Sequence, residues 1–169
     1  AAAAPPELEV RLAPETITLV DDGLLEDGIA TSPFDGEGVP TRTTKILDRG
    51  VLSAFLYDSF TARKAKKAST GNAARGYLTL PHIGTNNLYL EAGTRTPESI
   101  IKEVKNGFYV TAMLGHGTNP VTGEFSRGAN GLWIENGELA GAVKEVTIAG
   151  HLLKMLDDID AVGNDLVFR

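Results

Sequence analysis

Glycine-containing turns between short alternating runs are the feature that most constrains this fold. Asn136-Gly137 lies between residues 132–135 and 138–148, and an Asn-Gly pair in this setting is the strongest short-range signal for a β-hairpin. Arg49-Gly50 separates two further β-type runs and predicts a second hairpin. Glycine accounts for 19 of 169 residues, above the usual fraction of about 7 %. The chain should therefore turn often and be rich in β-structure.

The order of the remaining elements indicates an α+β fold with mixed, largely antiparallel β-sheets and about three short helices. The predicted helices cover residues 59–67, 97–106 and 152–159. Asp58 or Ser59 can cap the first of them, whereas Thr96 caps the second and Pro97 occupies its first position.

Less regular segments complete the sequence-based interpretation. Residues 1–14 are expected to be a linker or cut end, and residues 15–169 one β-rich domain that is truncated at its C-terminus. Residues 21–40 contain many turn formers and predict a long functional or partner-ordered loop. Residues 108–114 are apolar enough for a buried strand or a helical turn, and residues 164–169 are expected to begin another strand.

Charge and composition exclude several classes of protein. The net charge is −6, which disfavours general binding to nucleic acids or membrane surfaces because both are polyanionic. The absence of cysteine removes disulfides and thiolate zinc sites. No apolar run approaches the length of about 18 residues that a membrane span requires. We therefore expect a cytoplasmic domain that uses no membrane and no nucleic-acid partner.

The titratable residues show no catalytic motif. His82, His116 and His151 are not spaced as a His-Glu-x-x-His zinc motif, so no metal or catalytic residue is assigned. His82 and His151 are interpreted as surface or capping residues. His116 lies between two glycines, in either an ordinary turn or a flexible loop that lines a peptide or metal cleft.

Other conspicuous residues have structural interpretations. The acidic residues between Asp21 and Glu37 lack the spacing of a calcium loop and are explained by turn chemistry. The basic residues 63–67 fit a solvated helix end, although they could contact an acidic partner. Trp133 is interpreted first as a core anchor and second as an interface residue.

An ordered set of motifs resembles the TldD/PmbA family and, within it, the PmbA (TldE) branch. Residues 115–138 read GHGTNPVTGEFSRGANGLWIENGE, residues 34–41 read FDGEGVPT and residues 162–165 read VGND. These pieces follow the order found in the family, and the resemblance extends from about Thr16 to the end of the chain. The segment SRGANGLWIENGE is its most specific part.

The resemblance implies a role in a heterodimeric zinc metalloprotease that degrades unfolded or small peptides. In the family, the TldD-type subunit carries the His-Glu-x-x-x-His zinc motif and the PmbA-type subunit lacks it. Zinc is therefore expected in a TldD-type partner and not in this chain. The resemblance implies a homo- or heterodimer in which this segment supplies dimerisation and cavity surface.

Candidate surface residues and two alternative functions follow from this resemblance. His116, Asn119, Arg127 and Trp133 are the candidates for the peptide cavity or the subunit interface. An extended peptide could add to a sheet edge, where main-chain hydrogen bonds give low sequence selectivity. One alternative is part of an active TldD-type zinc protease whose metal motif lies outside this chain. The other is a binding or assembly module that has no role in proteolysis.

Overall fold

The computed structural model describes residues 8–168, which form two compact units. The four-stranded unit contains Ile17–Glu91 together with residues 8–11 and 166–168, and the three-stranded unit contains Ala92–Asp165 together with Leu12–Thr16. Residues 1–7, the first half of the predicted linker, lie outside the described residues, as does Arg169. None of the described helices has the length and apolar character that crossing a bilayer requires.

Six short strands belong to the four-stranded unit. They are β1 (Leu19–Asp22), β2 (Thr43–Asp48), β3 (Val51–Leu52), β4 (Ala73–Ala74), β5 (His82–Ile83) and β6 (Asn87–Leu90). An antiparallel sheet has the strand order β3-β2-β1-β6, and β4 pairs separately with β5. The pairing of Leu47 with Leu52 across the Arg49-Gly50 turn confirms the hairpin that was predicted there.

The core of this unit lies under the sheet. Ile17, Val20, Leu47 and Leu52 are buried, and their burial is the main favourable contribution to folding here. Part of the predicted linker joins the same sheet at β3. The backbone N–H of residue 9 donates to the Leu52 carbonyl at 2.8 Å, and the Leu52 N–H donates to the carbonyl of residue 10 at 2.9 Å.

The long loop after β1 is held by carboxylates that accept backbone hydrogen bonds. Asp35 Oδ1 accepts from the N–H groups of Glu37 and Val39, each at 2.9 Å. Asp35 Oδ2 accepts from the Ala73 N–H at 3.0 Å and thereby attaches the loop to β4. Turn chemistry therefore accounts for Asp35, because its side chain replaces the backbone partners that an irregular segment lacks.

Helix α1 (Ser59–Ala65) begins at the predicted cap. Asp58 Oδ1 accepts from the Thr61 N–H at 2.7 Å, and the Thr61 hydroxyl donates to the same oxygen. The Asp58 N–H in turn donates to Thr61 Oγ1 at 3.2 Å, which completes a capping box. Lys66 ends the helix in the left-handed conformation with φ 54°.

We expect the stability of α1 to fall in acid because of Asp58. The hydrogen bonds from the side chain and backbone of Thr61 lower the pKa of the Asp58 carboxyl below its ordinary value of 3.8. The stabilisation is therefore present above the pKa of the unfolded chain and is lost as the pH falls through the lower pKa of the folded state. An NMR titration of the Asp58 carboxyl should show this lowered pKa. In a Thr61→Ala variant it should move back towards 3.8, and an unchanged value would contradict the assignment.

The three-stranded unit consists of one antiparallel sheet and two helices. Its elements are α2 (Pro97–Glu103), β7 (Asn106–Leu114), β8 (Glu124–Glu135), β9 (Glu138–His151) and α3 (Leu152–Asp157). The sheet order is β7-β8-β9. The Thr96 hydroxyl caps α2 and Pro97 opens it, as predicted.

Helix α2 is shorter than predicted because its last residues pair with the hairpin turn. Val104 is extended rather than helical. Its carbonyl accepts from the Gly137 N–H at 2.9 Å, and the Lys105 carbonyl accepts from the Asn136 N–H at 2.7 Å. These tertiary hydrogen bonds replace the next intrahelical ones, so the helix ends at Glu103.

Two predicted strands differ from the structure. Residues 164–168 form no strand, and Gly163 makes only an isolated parallel bridge with Arg95. Residues 108–114 form a strand, as one of the two interpretations predicted, but most of their side chains are exposed rather than buried. The first difference arises because one isolated bridge, between Arg95 and Gly163, is the only β-pairing described next to residues 164–168, whereas a strand needs a continuous series of paired residues. The second is central to the candidate site.

Candidate functional site

The hairpin of β8 and β9 forms the framework of the candidate site. Its turn has positive φ at both central residues, 50° at Asn136 and 82° at Gly137, as a type I′ turn requires. Glu135 pairs with Glu138 next to the turn, and pairing continues to Glu124 with His151 at the far end. The predicted hairpin is confirmed, and β8 runs without interruption through residues 128–131.

The centre of β8 is bent by irregularities on both of its neighbours. The registers of β7 and β9 both shift beside Asn130 and Gly131. Asn130 Oδ1 accepts from the Glu145 N–H at 2.9 Å, where Glu145 has φ 58°. On the other side, the Thr111 hydroxyl donates to the Asn130 carbonyl at 3.2 Å. The Asn130 side chain thus stabilises a β-bulge that curves the sheet.

The sheet of β7, β8 and β9, which we call the open sheet, exposes large apolar side chains on both of its faces, because successive residues of a strand point to opposite sides. They share exposed fractions of 36–43 %: Tyr109, Val110, Met113, Leu114 and Trp133. Clustered apolar side chains of this size are unusual on a solvated surface and are typical of interaction sites. Trp133 was already a candidate from the sequence, but the four side chains of β7 were missed because a continuous apolar run does not indicate which of two faces is covered.

The edges of the open sheet offer backbone hydrogen-bonding groups. Among the described strands, β7 and β9 each pair only with β8. They are 9 and 14 residues long, which is long for edge strands. An edge of this kind can accept a further strand from another chain.

A small apolar cavity lies between α2 and the open sheet. It measures about 290 Å³, and its lining includes Ile100, Val104, Phe108 and Ile134. Ile100 belongs to α2, and Val104 is the extended residue that directly follows its end. The cavity is therefore large enough to accommodate a few apolar groups of a bound molecule.

His116 and Asn119 lie in the exposed loop between β7 and β8. Asn119 Oδ1 accepts from the N–H groups of Val121 and Thr122 at 2.9 and 3.2 Å, so this side chain shapes the turn. His116 is exposed. Of the interpretations left open for His116, the ordinary turn agrees with this geometry, while contact with a peptide stays a prediction.

Arg127 lies beside the same loop. The Ser126 N–H donates to the Gly117 carbonyl at 2.7 Å, and a Cβ on Gly117 would lie 3.1 Å from Arg127 Cγ. The Arg127 Nε–H is buried and makes no hydrogen bond with the described residues. Arg127 is thus close to the loop that carries His116 and Asn119, and its role in a peptide cavity or subunit interface stays a prediction.

Trp133 lies towards the other end of β8. It lies six positions after Arg127, which corresponds to about 20 Å along a strand. Its ring packs against Phe108 with centroids 6.3 Å apart and remains 36 % exposed. The first interpretation, a core anchor, is wrong, because its neighbour Ile134 is only 5 % exposed and takes the inward position. The structure therefore groups three of the four candidates and separates Trp133 from them.

The single tryptophan allows the packing of this face to be tested. We expect a Phe108→Ala variant to increase acrylamide quenching of Trp133 and to shift its emission to longer wavelengths, because the Phe108 ring covers part of the indole. Loss of the ring contact should cost about 1 kcal/mol. The adjacent Tyr109→Ala variant is the matched control and should alter quenching much less. Equal quenching in the two variants would contradict the Phe108 contact.

The titratable side chains are dispersed over the described part of the chain. Within residues 8–168, no three His, Cys, Asp or Glu side chains come together as a possible metal cluster. His116 and His151 are both exposed.

The fold and the open sheet define an α+β domain of antiparallel sheets that presents an apolar surface. The predicted fold class is confirmed by solved structures that share it. Residues 6–169 match the family described as PmbA/TldA metallopeptidase C-terminal domain, and the chain belongs to this family. The resemblance to the TldD/PmbA family and its PmbA branch is thereby confirmed.

Several individual proteins are similar to this chain. Metalloprotease PmbA of Escherichia coli O157:H7 is 38 % identical over 159 residues, which cover 94 % of this chain and 33 % of that protein. TldE from Thermococcus kodakarensis is 31 % identical with a TM-score of 0.87, and the match covers 93 % of this chain and 36 % of TldE. A Thermotoga maritima structure, named for modulation of a DNA gyrase, is 38 % identical with a TM-score of 0.84, over 94 % of this chain and 36 % of that chain. The chain spans about a third of the length of these relatives.

Proposed function

We propose that this chain is the C-terminal domain of a PmbA/TldE-type partner subunit in a zinc metalloprotease that acts on unfolded or small peptides. In this proposal the domain supplies dimerisation and cavity surface, and a TldD-type subunit holds the zinc. A cytoplasmic location belongs to the same proposal. The names of the relatives, metalloprotease PmbA and TldE, support the assignment to this kind of protein.

The open sheet is the observation that carries the proposal. It combines exposed apolar side chains with two long edge strands, β7 and β9. Burying one of these apolar faces against another subunit would stabilise an assembly by about 25 cal/mol for each Å² of apolar surface removed from water. A free strand edge would let an extended peptide bind through its main chain, with little dependence on its sequence.

The test uses the full-length protein that contains this domain, mixed with a TldD-type partner. We expect the mixture to cleave an unfolded reporter peptide and a chelator to stop cleavage. Zinc analysis of the separated subunits should find the metal in the TldD-type subunit. Cleavage that persists under chelation would contradict the zinc assignment, and zinc held by this subunit would favour the active-protease alternative.

A second measurement addresses the subunit interface. A Val110→Lys variant places a charge on the exposed face of β7, whereas Ile29→Lys places one at a residue that is 70 % exposed in the four-stranded unit. Sedimentation velocity should show that only Val110→Lys weakens association. If both variants associate normally and cleave normally, the open sheet is not the interface. Association without cleavage would favour the assembly-module alternative.

A further inference from the structure

The cations of this acidic chain are unevenly distributed. Residues 59–90 contain five Lys or Arg residues and no Asp or Glu, while the rest of the chain holds the other 11 of the 16 cations and all 22 acidic residues. The five are Arg63, Lys64, Lys66, Lys67 and Arg75, and all are exposed. No ion pair among residues 8–168 involves any of them. The segment is thus a local positive surface on a negative protein.

The same segment carries the most exposed large apolar side chains of the described residues. Tyr77 is 99 % exposed, Leu78 90 % and Leu80 87 %. They lie in the connection between β4 and β5, the short two-stranded ribbon. Three such side chains in water within four residues indicate a surface that binds something apolar.

The loop after β1 attaches the start of α1 to β4, and β4 leads directly into Arg75 and Tyr77. The Gly36 N–H donates to the Ala73 carbonyl in β4 at 2.8 Å, and the next residue, Glu37, accepts from the Ser59 N–H at the start of α1, also at 2.8 Å. The seven residues of α1 extend about 10 Å. This length is comparable to the Debye length of about 10 Å at 0.1 M salt, so the cations along α1 act together on a charged partner.

A contact between a lysine and an aromatic ring adds to the combination of positive charge and exposed apolar area on this surface. Lys64 Nζ lies 4.4 Å from the centroid of the Phe60 ring, and Phe60 is itself 55 % exposed. An exposed cation over an exposed ring offers charge and apolar area at one place. We call the combination of residues 59–67 and 75–83 the basic apolar surface.

We propose that the basic apolar surface docks unfolded polypeptide segments in which acidic and large apolar residues alternate or adjoin. This inference rests on the proposed function and names a substrate class for it. Carboxylates of such a segment would approach the cations, and its apolar side chains would cover Tyr77, Leu78 and Leu80. A docking point away from the site of cleavage would raise the local concentration of peptide that carries this signature.

Charge distribution favours a peptide over a polyanion. The residues outside 59–90 have twice as many acidic as basic side chains, 22 against 11, and would repel an extended nucleic acid or an anionic membrane beyond the patch. A short peptide with a few carboxylates fits within the patch and avoids the rest of the surface.

The test measures binding by fluorescence polarisation, with the whole chain and three labelled unstructured peptides. The first peptide combines Glu with Leu and Tyr, the second replaces Glu by Lys, and the third keeps Glu but replaces Leu and Tyr by Ser. We expect the first to bind at least tenfold more tightly than either of the others, and its affinity to fall as salt increases.

Two variants and a matched control locate the binding. The first variant, Lys64→Gln with Lys67→Gln and Arg75→Gln, should weaken binding of the first peptide about tenfold, by analogy with surface charge pairs. The second, Tyr77→Ser with Leu80→Ser, should weaken it about tenfold by loss of apolar contact. The control removes three exposed lysines of the three-stranded unit, Lys102, Lys105 and Lys144, and should change the affinity less than twofold. Circular dichroism checks that each variant is folded.

The outcomes separate this inference from the proposed function. Equal binding of the three peptides, or an equal loss in the lysine control, would overturn the inference. So would stronger binding to single-stranded RNA or to phosphatidylserine vesicles than to the acidic peptide. A change in oligomeric state with the variants but no peptide binding would assign the surface to a second copy of the chain. None of these readouts involves cleavage, so a failed cleavage assay with the TldD-type partner would leave the binding result intact.

Discussion

A Gly131→Ala variant should lose about 3 kcal/mol of unfolding free energy, near the upper end of the cost of overpacking. A Cβ at this position would lie 2.0 Å from the Tyr109 carbonyl oxygen and 3.0 Å from Phe108 Cζ. Because the first of these atoms is backbone, the clash can be relieved only if β7 and β8 move apart. The pairs around Val110 and Gly131 would then open.

Gly141→Ala is the matched control on β9. No heavy atom lies within 4 Å of a Cβ built there, so the change should stay within about 0.5 kcal/mol. Urea unfolding followed by Trp133 fluorescence gives both values, and amide hydrogen exchange locates the effect on β7 and β8. Similar losses in the two variants would contradict the close approach at Gly131.

An Asp21→Ala variant should also lose about 3 kcal/mol of unfolding free energy, because it leaves several buried donors without an acceptor. Asp21 is 0 % exposed. Its oxygens accept from Asn72 Nδ2 at 2.6 Å and from the N–H and Nδ2 of Asn86 at 2.7 and 3.1 Å. These bonds connect β1 to the segments before β4 and β6.

The control for Asp21 is Glu26→Ala, which removes an exposed carboxylate from the same unit and should change stability by less than about 0.5 kcal/mol. Asp21→Asn keeps the size of the side chain but turns one acceptor into a donor, so it should fall between the two. Urea unfolding monitored by circular dichroism measures all three. An Asp21→Ala variant as stable as Glu26→Ala would show that the network contributes little.

The features that could be predicted from the sequence are those whose partners are near in the chain. The Asn136-Gly137 turn needs only positive φ at two adjacent residues. The caps at Asp58 and Thr96 need a backbone N–H three residues further on. Such interactions need only residues that are close in sequence, so they form wherever the segment lies in the fold. The hairpins and the starts of two helices were therefore predicted correctly.

The features that were missed depend on distant partners. Asp21 bonds to residues 51 and 65 positions away, and a turn-forming role was the only interpretation that its neighbours suggested. Trp133 and Ile134 are both apolar, and only the pairing of β8 decides which of the two is covered. The end of α2 depends on hydrogen bonds from a turn more than thirty residues later in the chain.

Of the candidate site, local sequence indicated the loop that carries His116 and Asn119, and the resemblance of residues 115–138 identified the family. Turn chemistry, capping and the order of the elements were determined by the sequence alone, since they arise between neighbouring residues. Which apolar side chains are exposed on the open sheet, and which carboxylate is enclosed at Asp21, was decided only by the tertiary structure. Burial is a property of the assembled fold, because it depends on which distant strands cover a given face.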